Sequence, residues 1–216
     1  MNKQLALSVA TALLMAGGQA NAALCPASTT VAIVSGPGFT CSEGDKTFSA
    51  FALGVSSGTV TFGESGSDTT IGFVAPTGGN GFGNSTHTFN FTVTIDPAAV
   101  AAGTRIDAYT LTATGGTASS VATTITGSNS GTNSTGPISS SPSPGRTAML
   151  DLTPGDTSVV VKQTSVQPNN STAGRLISIG NAFTQSTPPV SVPEPMSLSL
   201  FGLGLAGLGL ARRRRS

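Results

Sequence analysis

The side chains that could carry out chemistry are few and widely spaced. A serine nucleophile needs a general base beside it, and His87 is the only histidine in the chain. His87 lies in Thr86–Ile95, where apolar and polar residues alternate as they do in a half-exposed strand. We therefore interpret His87 as a solvent-facing strand residue. The sequence predicts no catalytic residue and no enzyme activity.

Eight carboxylates lie between residues 23 and 191, and a pair of them could serve a glycosidase or bind calcium. Candidate pairs are Glu43 with Asp45 and Asp151 with Asp156, but the Asp-x-Asp-x-Asp-Gly calcium loop is absent. Two cysteines and one histidine are too few ligands for a zinc site. We predict no metal and no cofactor. A secreted hydrolase or a calcium-dependent carbohydrate-binding module remains the alternative.

The two cysteines, Cys25 and Cys41, lie in the part of the chain that we predict to be exported. An even cysteine count in an oxidising compartment favours a disulfide, and two free thiols are the alternative. The loop that this bond closes is short, and its stabilisation would be about 3 kcal/mol.

The last 25 residues have the order of a membrane-targeting signal. A short polar motif and a 16-residue apolar run, Met196–Ala211, precede a basic block. The motif is Val192, Pro193, Glu194 and Pro195, and the block is Arg212, Arg213, Arg214 and Arg215. The arginines act as a stop-transfer sequence and stay cytoplasmic, because moving them across a bilayer is costly. The run is shorter than the about 20 residues of a permanent membrane helix and contains four glycines, which suits a transient anchor.

This order of motif, apolar run and arginines resembles the PEP-CTERM sorting signal of exported proteins of Gram-negative bacteria. The resemblance implies that a membrane enzyme, exosortase, cuts near Pro193-Glu194-Pro195. The protein would then leave its transient anchor in the inner membrane for the cell surface or the extracellular matrix. A permanent tail anchor is the alternative. Signals of this kind travel with extracellular polysaccharide, which is therefore a further candidate partner.

Residues 1–22 have the parts of a secretory signal peptide. Leu5–Ala16 is the apolar core, and Ala20-Asn21-Ala22 is a cleavage site that predicts a mature start at Ala23. A lipoprotein signal needs a small residue before its cysteine, whereas Leu24 precedes Cys25. Ordinary signal peptidase is therefore the predicted processing enzyme.

The charge of the predicted mature segment excludes one class of partner. Residues 23–191 contain five basic and eight acidic residues, a net charge of −3, although the whole chain is +1. A weakly acidic segment without a basic cluster is not expected to bind nucleic acid.

The segment 23–184 has the pattern of an all-β domain. Thr86–Ile95 is the clearest strand, because Phe89, Phe91, Val93 and Ile95 share one face. Further candidate strands are Thr29–Val34, Lys46–Leu53, Thr59–Phe62, Thr70–Val74, Thr104–Ala113, Ser120–Thr126, Thr147–Leu152, Ser158–Ser165 and Arg175–Phe183. Their number and spacing predict an antiparallel β-sandwich, jelly-roll-like, between an N-terminal signal helix and a C-terminal transmembrane helix at 196–211. Ala98–Ala102 could form one helical turn.

The segment Cys41–Phe51 resembles the C-x-x-G-D-K-x-F-x-x-F sequence of many PEP-CTERM ectodomains, where it opens a β-sandwich. Gly44-Asp45 predicts a turn, after which Phe48 and Phe51 point inward. Their three-residue spacing breaks strand alternation and predicts a bulge.

Two segments are predicted to lie outside the packed core. Gly127–Gly145 is almost entirely Gly, Ser, Asn, Thr and Pro, with only Ile138 to bury, which predicts a mobile loop. Residues 185–191 are rich in proline and predict an extended stalk that presents the motif at 192–195 to its processing enzyme.

These observations predict an exported, non-catalytic protein of the cell surface or of the exopolysaccharide matrix of a biofilm. A strong lectin is not expected, because sugars usually stack on aromatic rings and the chain has no Trp and one Tyr. Weak contact through hydroxyl groups remains open. Steps such as Thr92-x-Thr94 and Thr110-x-Thr112-x-Thr114 leave ice binding as a remote alternative, because no regular repeat would stack them into a plane.

Overall fold

A computed structural model describes residues 22–77, 81–83, 85–142, 144–168 and 174–186. The predicted signal helix, most of the stalk, the sorting motif, the apolar run 196–211 and the four arginines lie outside the described residues. Within the described part of the chain, no helix is long and apolar enough to span a membrane.

The described residues form thirteen strands and two short helices. The strands are β1 (Ala23–Leu24), β2 (Ser28–Thr30), β3 (Cys41–Glu43), β4 (Lys46–Leu53), β5 (Thr59–Ser65), β6 (Asp68–Val74), β7 (Thr86–Ile95), β8 (Arg105–Gly115), β9 (Ser120–Gly127), β10 (Gly131–Ser139), β11 (Arg146–Asp156), β12 (Ser158–Val166) and β13 (Leu176–Ser186). The helices are α1 (Val31–Val34) and α2 (Pro97–Ala101).

The strands form two sheets. Sheet A has the order β1-β3-β4-β7-β12-β9-β10, and sheet B has the order β11-β8-β13-β6-β5-β2. The named strands pair in antiparallel fashion apart from β1, which runs parallel to β3. The predicted all-β sandwich is confirmed.

The core lies between the sheets and is rich in phenylalanine. On β7, the four residues predicted to share a face are all buried, because period-2 alternation points them toward sheet B. The Phe91 ring lies 5.8 Å from the ring of Phe73 and 6.2 Å from that of Phe183, both in sheet B. Burial of such large rings dominates the energetics of a core.

The segment from Cys41 folds as its residues suggest. A turn at Gly44-Asp45 joins β3 to β4, and the pairing of β4 with β7 shifts register between Ser49 and Ala52. Ala50 has a φ of 54° at this irregularity. The bulge lets both Phe48 and Phe51 pack on the core, although three residues separate them.

The prediction of a mobile loop at 127–145 is wrong for about half of the segment. Residues 131–139 form β10, which pairs with β9 along its whole length, with one irregularity between Ser134 and Gly136. As the last strand of sheet A, β10 needs few apolar residues, and Ile138 is its partly buried contact with the core. The composition of this segment indicated disorder, because composition alone does not reveal that the backbone pairs with a neighbouring strand.

Two smaller differences have simple causes. The last four residues of the predicted strand Thr29–Val34 form α1, because Val31 and Val34 are three residues apart and both reach the core as one helical turn. At the other end of the domain, β13 continues through Ser186. Gln185 therefore belongs to the sandwich and not to the predicted stalk.

Candidate functional site

The predicted mature N-terminus lies on the domain. Ala23 is the first residue of β1, opposite Cys41 on β3, and Ala22 precedes the strand. Cys25 and Cys41 form a disulfide with a Cα–Cα distance of 4.7 Å. Cys41 is buried, so the bond attaches the start of the domain to its core.

His87 contacts a serine that the sequence analysis did not single out. Its Nε2 lies 3.1 Å from Ser85 Oγ, and its Nδ1 lies 3.2 Å from the carbonyl oxygen of Gly54. If Nδ1 carries the proton, it donates a hydrogen bond to the Gly54 carbonyl, and Nε2 accepts a hydrogen bond from the Ser85 hydroxyl. Neither side chain lines the depression around Gly72 and Gly180 or the one around Arg175 and Ile177.

A second serine motif also went unnoticed in the sequence. Residues 54–58 read Gly-Val-Ser-Ser-Gly, the spacing of the nucleophile elbow of α/β-hydrolases. In the structure they connect β4 to β5. An elbow requires a helix after its serine, and a strand follows here, so the motif is not an elbow.

Three of the four candidate calcium ligands make hydrogen bonds or an ion pair within the protein. Asp156 is buried and binds residues of the β9–β10 turn, whereas Asp151 accepts the backbone N–H of Thr153 at 3.0 Å. Asp45 pairs with Lys46. Among the described residues, no group of three or more His, Cys, Asp or Glu side chains could hold a metal ion.

The outer face of sheet B carries an extended surface on which every residue but Met149 is small, and we call it the threonine face. It consists of two rows of register partners across β11, β8, β13, β6 and β5. The first row is Thr147, Thr112, Gly180, Gly72 and Thr61, and the second is Met149, Thr110, Ala182, Thr70 and Gly63. Neighbouring strands in such a sheet lie about 4.8 Å apart and the rows about 6.8 Å apart. Neither row contains a charged residue.

A depression of about 280 Å³ lies in the middle of the threonine face. Gly72 and Gly180 lie on its floor, and Thr61, Thr70 and Thr112 line its sides. A Cβ at Gly72 would lie 2.6 Å from Thr61 Oγ1, so a larger residue there would force the Thr61 side chain to move. A Cβ at Gly180 would be at an ordinary 3.5 Å from Thr112 Cβ. The depression therefore exists because two adjacent strands lack side chains there.

A buried polar network supports this floor from inside the sandwich. Asn181, next to Gly180, donates from Nδ2 to the carbonyl oxygen of Ile71 at 3.2 Å. Its Oδ1 accepts from Tyr109 Oη at 2.6 Å and from Gln163 Nε2 at 2.7 Å. Gln163 also donates to Thr123 Oγ1 at 3.0 Å. The network joins β6, β8 and β13 of sheet B to β9 and β12 of sheet A.

Tyr109 is the fully buried centre of this network. Burial raises the pKa of Tyr109 well above its usual value, and the hydrogen bonds with Thr123 and Gln163 oppose that rise only in part. Tyr109 therefore stays neutral and serves as a structural hydrogen-bonding group. It is not available as an exposed ring on which a sugar could stack.

The structure separates the Thr-x-Thr steps that had suggested ice binding. Thr110 and Thr112 lie on the threonine face, whereas Thr92 and Thr94 lie on the outer face of sheet A, in β7. Glycine and alanine interrupt both rows of the threonine face. Its threonines do not form an unbroken array.

Residues 191–215 match the family model of the PEP-CTERM protein-sorting motif. The interpretation of the C-terminus is thereby confirmed: the motif implies export, a transient membrane anchor and processing by exosortase. No curated protein matches the sequence significantly. Among solved structures, TmCBM61 in complex with β-1,4-galactotriose is similar with a TM-score of 0.29 and 7% sequence identity, over 59% of this chain and 86% of that one.

Proposed function

We propose that this chain, which carries a PEP-CTERM sorting motif at residues 191–215, is a non-catalytic protein of the bacterial cell surface or extracellular matrix. The motif is the observation that carries the proposal, because it implies export and release from the membrane. The disulfide between Cys25 and Cys41 suits an oxidising compartment outside the cytoplasm.

The distribution of acids supports a non-catalytic role. The depression on the threonine face has no carboxylate in its lining. A second depression, lined by residues 74–77, Gly81, Arg175 and Ile177, has none either. Glycoside hydrolysis needs two carboxylates that face each other across a substrate, and neither place offers them.

Within this role, the threonine face binds a neutral matrix polysaccharide weakly. Its two uncharged rows offer nothing to a strongly charged partner, and its threonine hydroxyls both donate and accept hydrogen bonds. The glycine floor lets a chain of sugars approach the backbone of β6 and β13 closely. Binding is weak because the face has no aromatic ring.

The location is tested by fractionating the native bacterium and measuring the intact mass of the protein in each fraction. The proposal expects a processed form, without the arginine block, in the surface or medium fraction. A full-length form found only in the inner membrane would contradict it.

Polysaccharide binding is tested by co-sedimentation of the mature protein with insoluble matrix polysaccharide from the same bacterium. Gly180→Ala adds a methyl group to the floor without a collision, and Thr112→Val removes a hydroxyl from the wall. Thr112→Val should weaken binding by about threefold to tenfold, the equivalent of one hydrogen bond, and Gly180→Ala should weaken it by keeping the sugar chain away from the backbone. Thr124→Val on the outer face of sheet A is the matched control. Equal binding by all three variants would refute the assignment to this face.

A further inference from the structure

Lys46 is buried at the start of β4, in the Gly-Asp-Lys sequence that follows the disulfide-bonded strand. Its side chain is 0% exposed and points inward like that of Phe48, two residues later. The ammonium nitrogen Nζ lies 2.8 Å from Asp45 Oδ1 and also donates to Oε1 of Gln185. Three groups with complementary chemistry therefore meet at one end of the sandwich: an amine, a carboxylate and a carboxamide.

The amine and the carboxamide come from different sheets. Lys46 is in sheet A, and Gln185 is the penultimate residue of β13 in sheet B, 139 positions later. Their register partners are Ile95 for Lys46 and Ile106 for Gln185, and both isoleucines are buried. A register shift after Thr184 precedes Gln185. The apolar neighbours limit access of water to the contact.

A purely structural role explains this arrangement poorly. Burying an ammonium group is costly, and a single carboxylate that is 26% exposed offsets only part of that cost. An apolar residue at this position would avoid the cost altogether. The same arrangement is suited to acyl transfer, since a nucleophile, its proton acceptor and an electrophilic carbonyl are already in contact.

We propose that Lys46 and Gln185 become joined by an intramolecular isopeptide bond, with Asp45 as the catalytic proton carrier. Asp45 accepts a proton from the Lys46 ammonium, and the neutral amine attacks Cδ of Gln185. The attacking nitrogen loses its second proton to Nε2 of Gln185 as the Cδ–Nε2 bond breaks, and Asp45 returns the first proton to the departing ammonia. The products are a secondary amide and one ammonium ion, so the chain loses the mass of one ammonia. Oxidation states do not change, and no co-reactant is needed.

The bond would close the sandwich covalently. It would join the disulfide-bonded β3–β4 hairpin of sheet A to the strand of sheet B that leads into the C-terminal tail. A cross-link that spans 139 positions removes much of the entropy of the unfolded chain. Such a bond suits a protein that must persist outside the cell.

The test uses the mature protein from the producing bacterium, reduced and denatured before mass analysis. Its intact mass should be lower than the sequence mass by one ammonia. Proteolysis should then yield a branched peptide in which Lys46 is linked to Gln185. The branched peptide is decisive, because succinimide formation at an asparagine also releases ammonia.

Two variants separate cross-linking from simple hydrogen bonding. Lys46→Arg keeps a buried cation beside Asp45, and Asp45→Asn keeps the shape of that side chain while removing its capacity to accept the proton. Both should show no branched peptide, and Lys46→Arg should lower the Tm by on the order of 10 °C, as expected for loss of a long-range cross-link. Absence of the branched peptide from the native protein would overturn the proposal. That result would leave the surface role untouched, since location and polysaccharide binding are measured separately.

Discussion

Asp156 Oδ1 accepts the backbone N–H of Asn129 at 2.6 Å, so a fully buried carboxylate at the end of β11 holds the turn between β9 and β10. The same oxygen accepts the N–H of Ser130 at 2.9 Å, and Oδ2 accepts the Ser130 hydroxyl at 2.6 Å. A Cβ at Gly127 would collide with this carboxylate, so glycine at the end of β9 makes room for it. The turn is therefore fixed by a residue far from it in sequence.

Replacing Asp156 with Ala should destabilise the domain by about 3 kcal/mol, because two backbone N–H groups and a hydroxyl lose their buried acceptor. Urea unfolding followed by circular dichroism measures the difference. Asp151→Ala is the control, since Asp151 is exposed and bonds only within its own strand. A loss no larger than that of the control would show that water replaces the carboxylate.

Strands whose own sequence encodes a buried face were predicted correctly, whereas a strand that depends on distant partners was missed. The strand Lys46–Leu53 was predicted to the residue although the bulge between Ser49 and Ala52 breaks its alternation. Thr86–Ile95 was predicted to the residue because its own alternation of apolar and polar side chains encodes a buried face. The strand β10 has no such alternation. It is specified by pairing with β9 and by Asp156, and neither can be read from the local composition of residues 131–139.

The threonine face was equally invisible in the sequence. Thr112, Gly180 and Thr61 come from three separate parts of the chain and become neighbours only through the register of β8, β13, β6 and β5. The contact of Lys46 with Gln185 spans 139 positions and has the same cause. By contrast, the sorting motif was identifiable because its function lies in the linear order of its residues.

Removal of the disulfide should lower stability by about 3 kcal/mol, since it closes a short loop. The double variant Cys25→Ser, Cys41→Ser avoids an unpaired thiol, and its urea midpoint compared with that of the oxidised protein measures the loss. Adding a reductant to the unmodified protein should reproduce the effect, whereas the variant should not respond. If the variant also lost stability in the reductant, the effect of the reductant could not be attributed to the disulfide.

The bond also constrains maturation at the N-terminus, because a Cys25 sulfur bonded to Cys41 cannot carry a lipid. N-terminal sequencing of the exported protein should begin at Ala23, after cleavage of the Ala20-Asn21-Ala22 site. A lipid-modified N-terminal Cys25 would contradict both the cleavage site and the disulfide.

Replacing Pro193 and Glu194 with Ala should leave an uncut precursor in the membrane, because the processing motif would be lost while the apolar run and the arginines remain. Intact-mass measurement on membrane and medium fractions distinguishes the forms. Replacing the four arginines at 212–215 with Ser is the complementary variant and should weaken membrane retention before cutting. Unchanged fractionation of the Pro193/Glu194 variant, with a full-length C-terminus, would support a permanent tail anchor.

Tyr109 makes the stability of the domain fall with rising pH in the alkaline range. Its pKa is raised in the folded protein above the value near 10 that it has when exposed, so the folded state favours the neutral form. This contribution to stability is fully present below about pH 10 and is lost as the pH rises above it, with a slope of up to about 1.4 kcal/mol per pH unit. Tyr109→Phe should remove that slope, although it costs about 1 kcal/mol at neutral pH through lost hydrogen bonds.

Because Tyr109 is the only tyrosine and the chain has no tryptophan, phenolate absorbance reports this residue alone. In the folded protein the absorbance should appear only at the pH of unfolding, together with the loss of circular dichroism. Urea titrations of both proteins at several alkaline pH values separate the tyrosine effect from that of the lysines, which both share. Phenolate that formed near pH 10 while the fold stayed intact would show that Tyr109 is accessible, and would remove the support that the buried network gives to the floor of the threonine face.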